Sequence, residues 1–350
     1  MSDLKNSKAI LEHPGKMVIV PADVPEPGEG EVLVHVEWVG ICGSDVHGFE
    51  SGPFIPPKDP NQEIGLGHEF AGVVVKVGPG VTDFKEGDRV CCEPGVPCGH
   101  CHYCLEGHYN ICPDVDFMAT QPNYRGALTH YLVHPASFTY HLPENMDTME
   151  GALVEPAAVG VHAADLGGAK PGKKIVIMGA GCIGLMTLQG CRAFGASEII
   201  VVDLMEKRLD MAKKLGATYT INGGKEDTVA RARELLGGGA DIVFECSGAR
   251  VTAQQAVSIV DRGGKIMMVG TQSGEVPIDF LKINREVTIQ TSFRYANNYP
   301  MTIDAISSGV FDVKSMVTSI YEYKDVQKAF EDSVNCKADI VKGVIKMTQE

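Results

Sequence analysis

No apolar run in this chain of 350 residues reaches the length that spans a bilayer, and no apolar core near Met1 resembles a secretory signal. A soluble, cytoplasmic protein is expected. Positive charge is also short. A formal net charge of −14 argues against a surface for nucleic acid or acidic membranes, although a local phosphate site built from backbone amides is still allowed. No internal period of roughly 20 to 50 residues recurs, which excludes a repeat array, and no low-complexity segment interrupts the chain. Eleven cysteines, an odd number, suit metal ligands and reduced thiols better than a disulfide framework.

What is present is an ordinary globular composition, 44% hydrophobic and 22% charged, long enough for two domains. The first third reads as β structure. Residues 31–39 and 69–77 alternate as half-buried strands, residues 88–93 form a third, and prolines and glycines punctuate the intervals. After Glu155-Pro156 the texture changes. Apolar strands at 174–178, 198–203, 219–221, 241–245 and 265–269 alternate with helical runs at 156–166, 185–194, 205–215, 228–236 and 254–260. That alternation predicts a parallel sheet covered on both faces. Residues 283–293 are expected as its last strand, with a helix at 300–307 beyond it.

Two motifs have strong local signatures. Cys98, Cys101 and Cys104 stand two residues apart, and Cys112 returns seven residues later, the spacing of a four-thiolate structural zinc site. The surrounding glycines, histidines and glutamate are too polar for a buried core segment. Gly179-Ala-Gly181-Cys-Ile-Gly184 follows an apolar strand and opens a helix, and Asp203 ends the next strand 19 residues after Gly184. This is the context in which a glycine turn holds a dinucleotide pyrophosphate on a helix N-terminus. Asp203 would accept the adenosine ribose hydroxyls and repel a 2′-phosphate, so NAD is expected over NADP, with Arg208 over the adenine or ribose.

Cys42, expected to end a strand, the adjacent pair His68-Glu69, and Glu155 offer one thiolate, one imidazole and one or two carboxylates, a mixed donor set suited to a catalytic zinc with an open position. Taken together, Cys42-x-Ser44-x-x-His47, Gly67-His68-Glu69, the four-cysteine loop and the Gly179–Gly184 turn resemble the zinc-dependent medium-chain alcohol dehydrogenases. Residues 41–47, 151–156 and 292–295 resemble its sorbitol (polyol) dehydrogenase branch, which includes xylitol dehydrogenases. The resemblance covers nearly the whole chain.

It implies an α/β protein: a GroES-like β-barrel catalytic domain of residues 1–156 and 295–350, with a doubly wound Rossmann NAD-binding domain of residues 157–294 inserted between. Cys42, His68 and Glu69 would hold the catalytic zinc, with Glu155 a fourth ligand or the holder of a bound water. Ser44 and His47 would relay the alcohol proton. Phe117, Thr120, Glu155, Arg294 and Tyr295 would meet the substrate, and Ile183, Val269, Gly270, Phe293 and Arg294 would join the glycine turn around NAD. After the His47 segment, where mammalian members carry an aromatic residue, this chain reads Gly48-Phe49-Glu50-Ser51, a departure that implies a roomier pocket there. The intact four-cysteine set, which mammalian members lack, points to a microbial or fungal source.

The implied reaction oxidises a secondary hydroxyl of a small-molecule polyol to a ketose, with hydride transfer to NAD. A dehydrogenase of diols such as 2,3-butanediol, or of threonine, is the alternative; a non-catalytic structural relative is the remote one. Dimers paired into a homotetramer are the implied assembly.

Overall fold

Strand pairing begins from the ten-residue run Glu31–Gly40, whose buried valines alternate with wetter positions. In the computed structural model, which describes residues 4–272 and 274–348, this strand has two successive partners along one edge. Tyr131–Pro135 pairs with its first half and Lys342–Lys346 with its last three residues. Its other edge pairs antiparallel with Glu69–Val77, with two register shifts. Such bulges bend a sheet and increase its twist, and here they help a seven-stranded sheet curl around its core. The spatial order runs Val317–Glu322, Lys342–Lys346, Glu31–Gly40, Glu69–Val77, Arg89–Cys92, Thr139–His141. Val34, Val36, Phe70, Val74, Leu128 and Phe330 fill the core. Each aliphatic side chain buried there contributes roughly 1.5–3 kcal/mol.

This sheet belongs to a unit made of residues 1–155, 299–307 and 313–350, and a second unit comprises 156–298 and 308–312. Met1 to Asp3, Gln349 and Glu350, which the expected domain limits include, lie outside the described residues.

In the second unit six parallel strands lie in the order Tyr219–Asn222, Glu198–Asp203, Lys174–Met178, Ala240–Glu245, Val260–Met268, Thr288–Thr291. The chain starts in the middle and winds outward in both directions, so the order reverses between Lys174–Met178 and Ala240–Glu245. That switch point is where open α/β sheets bind ligands.

Three local expectations need correction. The last strand spans only Thr288–Thr291 rather than 283–293. Ile283 is buried and packs with the core of the unit, while Arg294, beyond the strand, adopts φ 50°, outside any ladder. In the β-rich first third, Gly43–Ser51 forms a helix. Cys42 therefore does not end a strand but stands at that helix's N-terminus.

Candidate catalytic and cofactor sites

Strand register assembles the first metal group. Gly40 lies directly opposite Glu69, so the residues just past the end of one strand, up to Cys42, face those just before the other, Gly67 and His68. A Cβ on Gly40 would come within 2.0 Å of a Glu69 carboxylate oxygen; only glycine lets that carboxylate lie across the neighbouring strand. Donor atoms of Cys42, His68 and Glu69 all fall within 4.8 Å of one another. Glu155, buried in the first turn of the helix Val154–Gly167, is not part of this group.

Two residues absent from the sequence expectations hold these donors. Asp45 is buried and accepts from the backbone N–H of Cys42 at 3.2 Å and of Gly67 at 2.9 Å, with His68 Nδ1 3.5 Å away. Burial disfavours an imidazolium, but the Asp45 carboxylate and then Cys42 outweigh it and hold His68 well above the ordinary range. Burial likewise opposes ionisation of Asp45, and His68 with the two N–H donors reverses it, leaving Asp45 below its usual value. A carboxylate behind a histidine in this way fixes ring orientation and raises ligand basicity. Lys342, 2% exposed, forms an ion pair with Glu69, 1% exposed, and donates to the Ile41 carbonyl at 3.0 Å. Asp45 was within reach of sequence reasoning, three residues after Cys42 in the same motif. Lys342 gives no local signal, since only sheet pairing brings it to Glu69.

Ser44 and His47 lie three residues apart in the helix Gly43–Ser51, which places them on one face. The His47 ring stacks on Phe54 at 3.8 Å and 9°. An aromatic ring therefore does stand beside His47. Phe49 turns into the core against Phe330, and the aromatic neighbour comes from Phe54 in the following loop. Phe117 is buried with its ring 5.4 Å from that of His68, and the Thr120 hydroxyl donates to the Phe117 carbonyl at 3.0 Å.

The second metal group is Cys98, Cys101, Cys104 and Cys112. The Cys101 and Cys98 sulfurs stand 3.4 and 3.9 Å from that of Cys104. Thiolates about 2.3 Å from a central ion at tetrahedral angles would be ~3.8 Å apart, so the group fits zinc. Backbone N–H groups aim at two of these sulfurs, Cys98 N at Cys112 Sγ and Cys101 N at Cys98 Sγ. Hydrogen bonds from the backbone of His100 and Cys101 draw the Cys98 thiol down to about 6. Partial burial and the neighbouring thiols push Cys104 up to about 12. His100 instead contacts the Cys98 carbonyl at 2.8 Å, and His102 stacks against Tyr103.

In the second unit the glycine turn follows Lys174–Met178 at the switch point. Gly179 takes φ 103° against Ser247, and a Cβ on Gly184 would lie 1.9 Å from the Gly179 carbonyl oxygen. Those two glycines serve the turn itself. Gly181 differs: it caps the helix Cys182–Ala193, and a Cβ there would meet only the Arg208 guanidinium, at 4.0 Å. Its missing side chain leaves space over the helix N-terminus, as a pyrophosphate requires. The residues therefore fit a dinucleotide. Asp203 accepts from Ala180 N at 2.7 Å and Met205 N at 2.9 Å, which fixes its carboxylate beside the turn and leaves each oxygen a second acceptor site. Arg208 stands at the turn, near Gly181. Ile183 lies in the first turn of the glycine-turn helix.

Val269 and Gly270 follow the fifth strand, both amides donating to the Glu245 carbonyl at 2.8 Å. Phe293 is half exposed beneath the Arg294 guanidinium, 4.7 Å from its ring centre, while Tyr295 is buried. Phe293, Arg294 and Tyr295 belong to the second unit, and Phe117 and Thr120 to the first.

The sequence family described as "Alcohol dehydrogenase GroES-like domain" matches residues 28–144, and "Zinc-binding dehydrogenase" matches 182–308. The chain is 40% identical to the sorbitol dehydrogenase of Bacillus subtilis, over 97% of each chain. It belongs to the zinc-dependent medium-chain dehydrogenases, in their polyol branch. This zinc-type alcohol dehydrogenase uses zinc and NAD. It is 73% identical, over 99% of its length and all of the relative's, to the "Uncharacterized zinc-type alcohol dehydrogenase-like protein YdjJ" of Escherichia coli K12. The solved structure of 2R,3R-butanediol dehydrogenase from Bacillus subtilis matches with TM-score 0.90 at 30% identity, covering 98% of this chain and all of that one. Among the described residues, no helix is long and apolar enough to cross a membrane.

Proposed function

We propose that this dehydrogenase oxidises a secondary hydroxyl of a sugar alcohol of the sorbitol or xylitol type to a ketose, reversibly. The observation that carries the reading is the Cys42, His68, Glu69 donor group, joined to 40% identity with a sorbitol dehydrogenase against 30% with a butanediol dehydrogenase. When bound, zinc acts as a Lewis acid toward the substrate oxygen and NAD accepts the carbinol hydrogen with its electron pair.

The chain's own residues divide the remaining work. Cys42, His68 and Glu69 would hold the metal, with Asp45 orienting the imidazole. Glu155, outside the donor group, suits a bound water or a substrate hydroxyl better than permanent ligation. The Ser44 hydroxyl would take the alcohol proton and pass it toward His47, whose ring plane the Phe54 stack restrains. Phe117 and Thr120 would bound the substrate beside His68, and Arg294 and Tyr295 would hydrogen-bond its further hydroxyls. Gly179, Gly181, Ile183, Gly184, Asp203, Arg208, Val269, Gly270 and Phe293 would seat NAD.

A homotetramer in the cytosol completes the proposal. Among the described residues the strand Thr288–Thr291 pairs on one side only, with Ile289 partly exposed, an edge suited to a second copy; a thiolate metal cluster suits a reducing compartment.

The test is the rate of NAD reduction by zinc-loaded protein with xylitol, sorbitol, galactitol, 2,3-butanediol and threonine side by side. A polyol is expected to win by at least about tenfold in kcat/KM, since a buried site left with unmatched hydroxyl partners discriminates strongly. Preference for butanediol or threonine would sink the polyol assignment.

A further inference from the structure

The second unit carries a cavity of about 520 Å³ far from the glycine turn. It is lined by Val229 and Arg233 on one face of the helix Thr228–Leu236, by the C-terminal end of the helix Arg250–Ile259, the start of the strand Val260–Met268, and the segment before Thr288. The strand start is an N-terminal end of the parallel sheet, and the helix Arg250–Ile259 returns to it by its C-terminal end. The glycine turn lies past the C-terminal end of its strand, so the cavity is on the opposite edge of the sheet.

Its charge is out of keeping with a chain of net charge −14. Four cations line it, Arg233, Arg262, Lys282 and Arg285, against one carboxylate, Asp261. Three of the cations are held by neutral acceptors: Arg233 donates to the Ser258 carbonyl at 3.3 Å, Lys282 to the Ser258 hydroxyl at 3.2 Å, and Arg285 to Asn284 Oδ1 at 2.6 Å. Glu234 and Glu226 are engaged with Arg231 and Asp241 with Lys173, and Asp279 and Glu286, close in sequence to Lys282 and Arg285, do not line the cavity.

Helix C-termini attract cations, and that is the plainer explanation to set against a site. The one helix that ends there, Arg250–Ile259, supplies about half a negative charge, which offsets only a small part of the three units left after Asp261. Most of that positive charge is left uncompensated by the groups that line a concave, polar space. We propose that this cavity binds a small dianion, a phosphate monoester or a dicarboxylate, at a site separate from substrate and cofactor. Arginine forks suit both groups through paired N–H donors.

Calorimetric titration of the zinc-loaded protein, kept saturated with NADH so that the glycine turn is occupied, tests the site. Inorganic phosphate, malonate and, at matched ionic strength, chloride are the probes. One saturable site per chain is expected for phosphate, malonate or both, and none for chloride; phosphate alone would identify the phosphate ester and malonate alone the dicarboxylate. In R262Q/R285Q the affinity should fall at least about tenfold, the scale of a lost charge-assisted hydrogen bond, while NADH affinity is unchanged, which also reports that the unit is folded. Binding that fails to saturate, that chloride reproduces, or that survives the double substitution overturns the proposal. So does a changed oligomer size in R262Q/R285Q, which would make the cations part of a protein interface.

Discussion

The two metal groups of the first unit are built in opposite ways. Cys98, Cys101, Cys104 and Cys112 lie within one short loop, and the backbone of that loop aims its own N–H groups at the sulfurs. Cys42 comes from a helix N-terminus and His68 and Glu69 from the start of a strand, and their supports, Gly40, Asp45 and Lys342, belong to three different elements. A local group needs only its loop to close, whereas a distributed one exists only once the sheet is in register. The loop suits a structural metal that closes its own fold, and the distributed group suits a metal whose surroundings can be tuned.

Substituting one ligand in each group gives the largest contrast. H68A should lower kcat/KM by at least ~10³, because the transition-state charge loses its main electrostatic support, and should remove one zinc while unfolding behaviour changes little. C98S should remove the other zinc and cost several kcal/mol of stability, as structural zinc sites contribute folding energy outright. Metal content by mass spectrometry together with urea melts checks both; equal effects of the two substitutions on stability would erase the distinction.

Lys342 sharpens the comparison. In K342M a carboxylate only 1% exposed would lose its counter-ion, a loss worth roughly 3–5 kcal/mol. A bound divalent cation supplies the missing charge, so the loss should be large in zinc-free protein and much smaller after zinc loading. If urea midpoints with and without zinc shift equally, Lys342 has no bearing on the metal group.

The smallest expected effect is a pair of opposed pH dependences beside the four-cysteine loop. His134, buried and donating Nε2–H to the Glu93 carbonyl at 2.9 Å, is pushed by burial down to about 4. The unfolded chain therefore gains a proton near 6.5 that the fold refuses, so its contribution to stability is lost as pH falls from about 6.5 to 4. The Glu93 side chain, raised by burial to about 7 despite hydrogen bonds from Tyr109 and Tyr140, has the opposite sign. It keeps its proton in the fold while the unfolded chain ionises, so its contribution is full below about 4.5 and lost as pH rises to 7. Each spans ~3 kcal/mol, and the two nearly cancel in wild type. H134Q should therefore grow more stable, and E93Q less stable, as pH falls from 7 to 4.5. Parallel slopes in urea melts would contradict both assignments.

Particular residues mark where sequence reading stopped. The strands Lys174–Met178 and Glu198–Asp203 and the helix Thr228–Leu236 have the expected limits, because apolar runs and periodic faces encode them locally. The helix Gly43–Ser51 was missed. It is short, holds two glycines and two serines in nine residues, and is sustained by Phe49 packing on Phe330. The same packing turns Phe49 away from His47 and leaves Phe54 in its place.

By itself the sequence determined the four-thiolate loop, the glycine turn with Asp203, and the parallel sheet that carries it, since all three rest on spacing over short distances and on backbone chemistry. The tertiary structure alone decided that Glu69 lies across Gly40 against Lys342, that Glu155 stays outside the donor group, and that four cations from separate segments meet on one sheet edge. Those outcomes follow from pairing and packing between distant residues, and register between strands cannot be read from either strand alone.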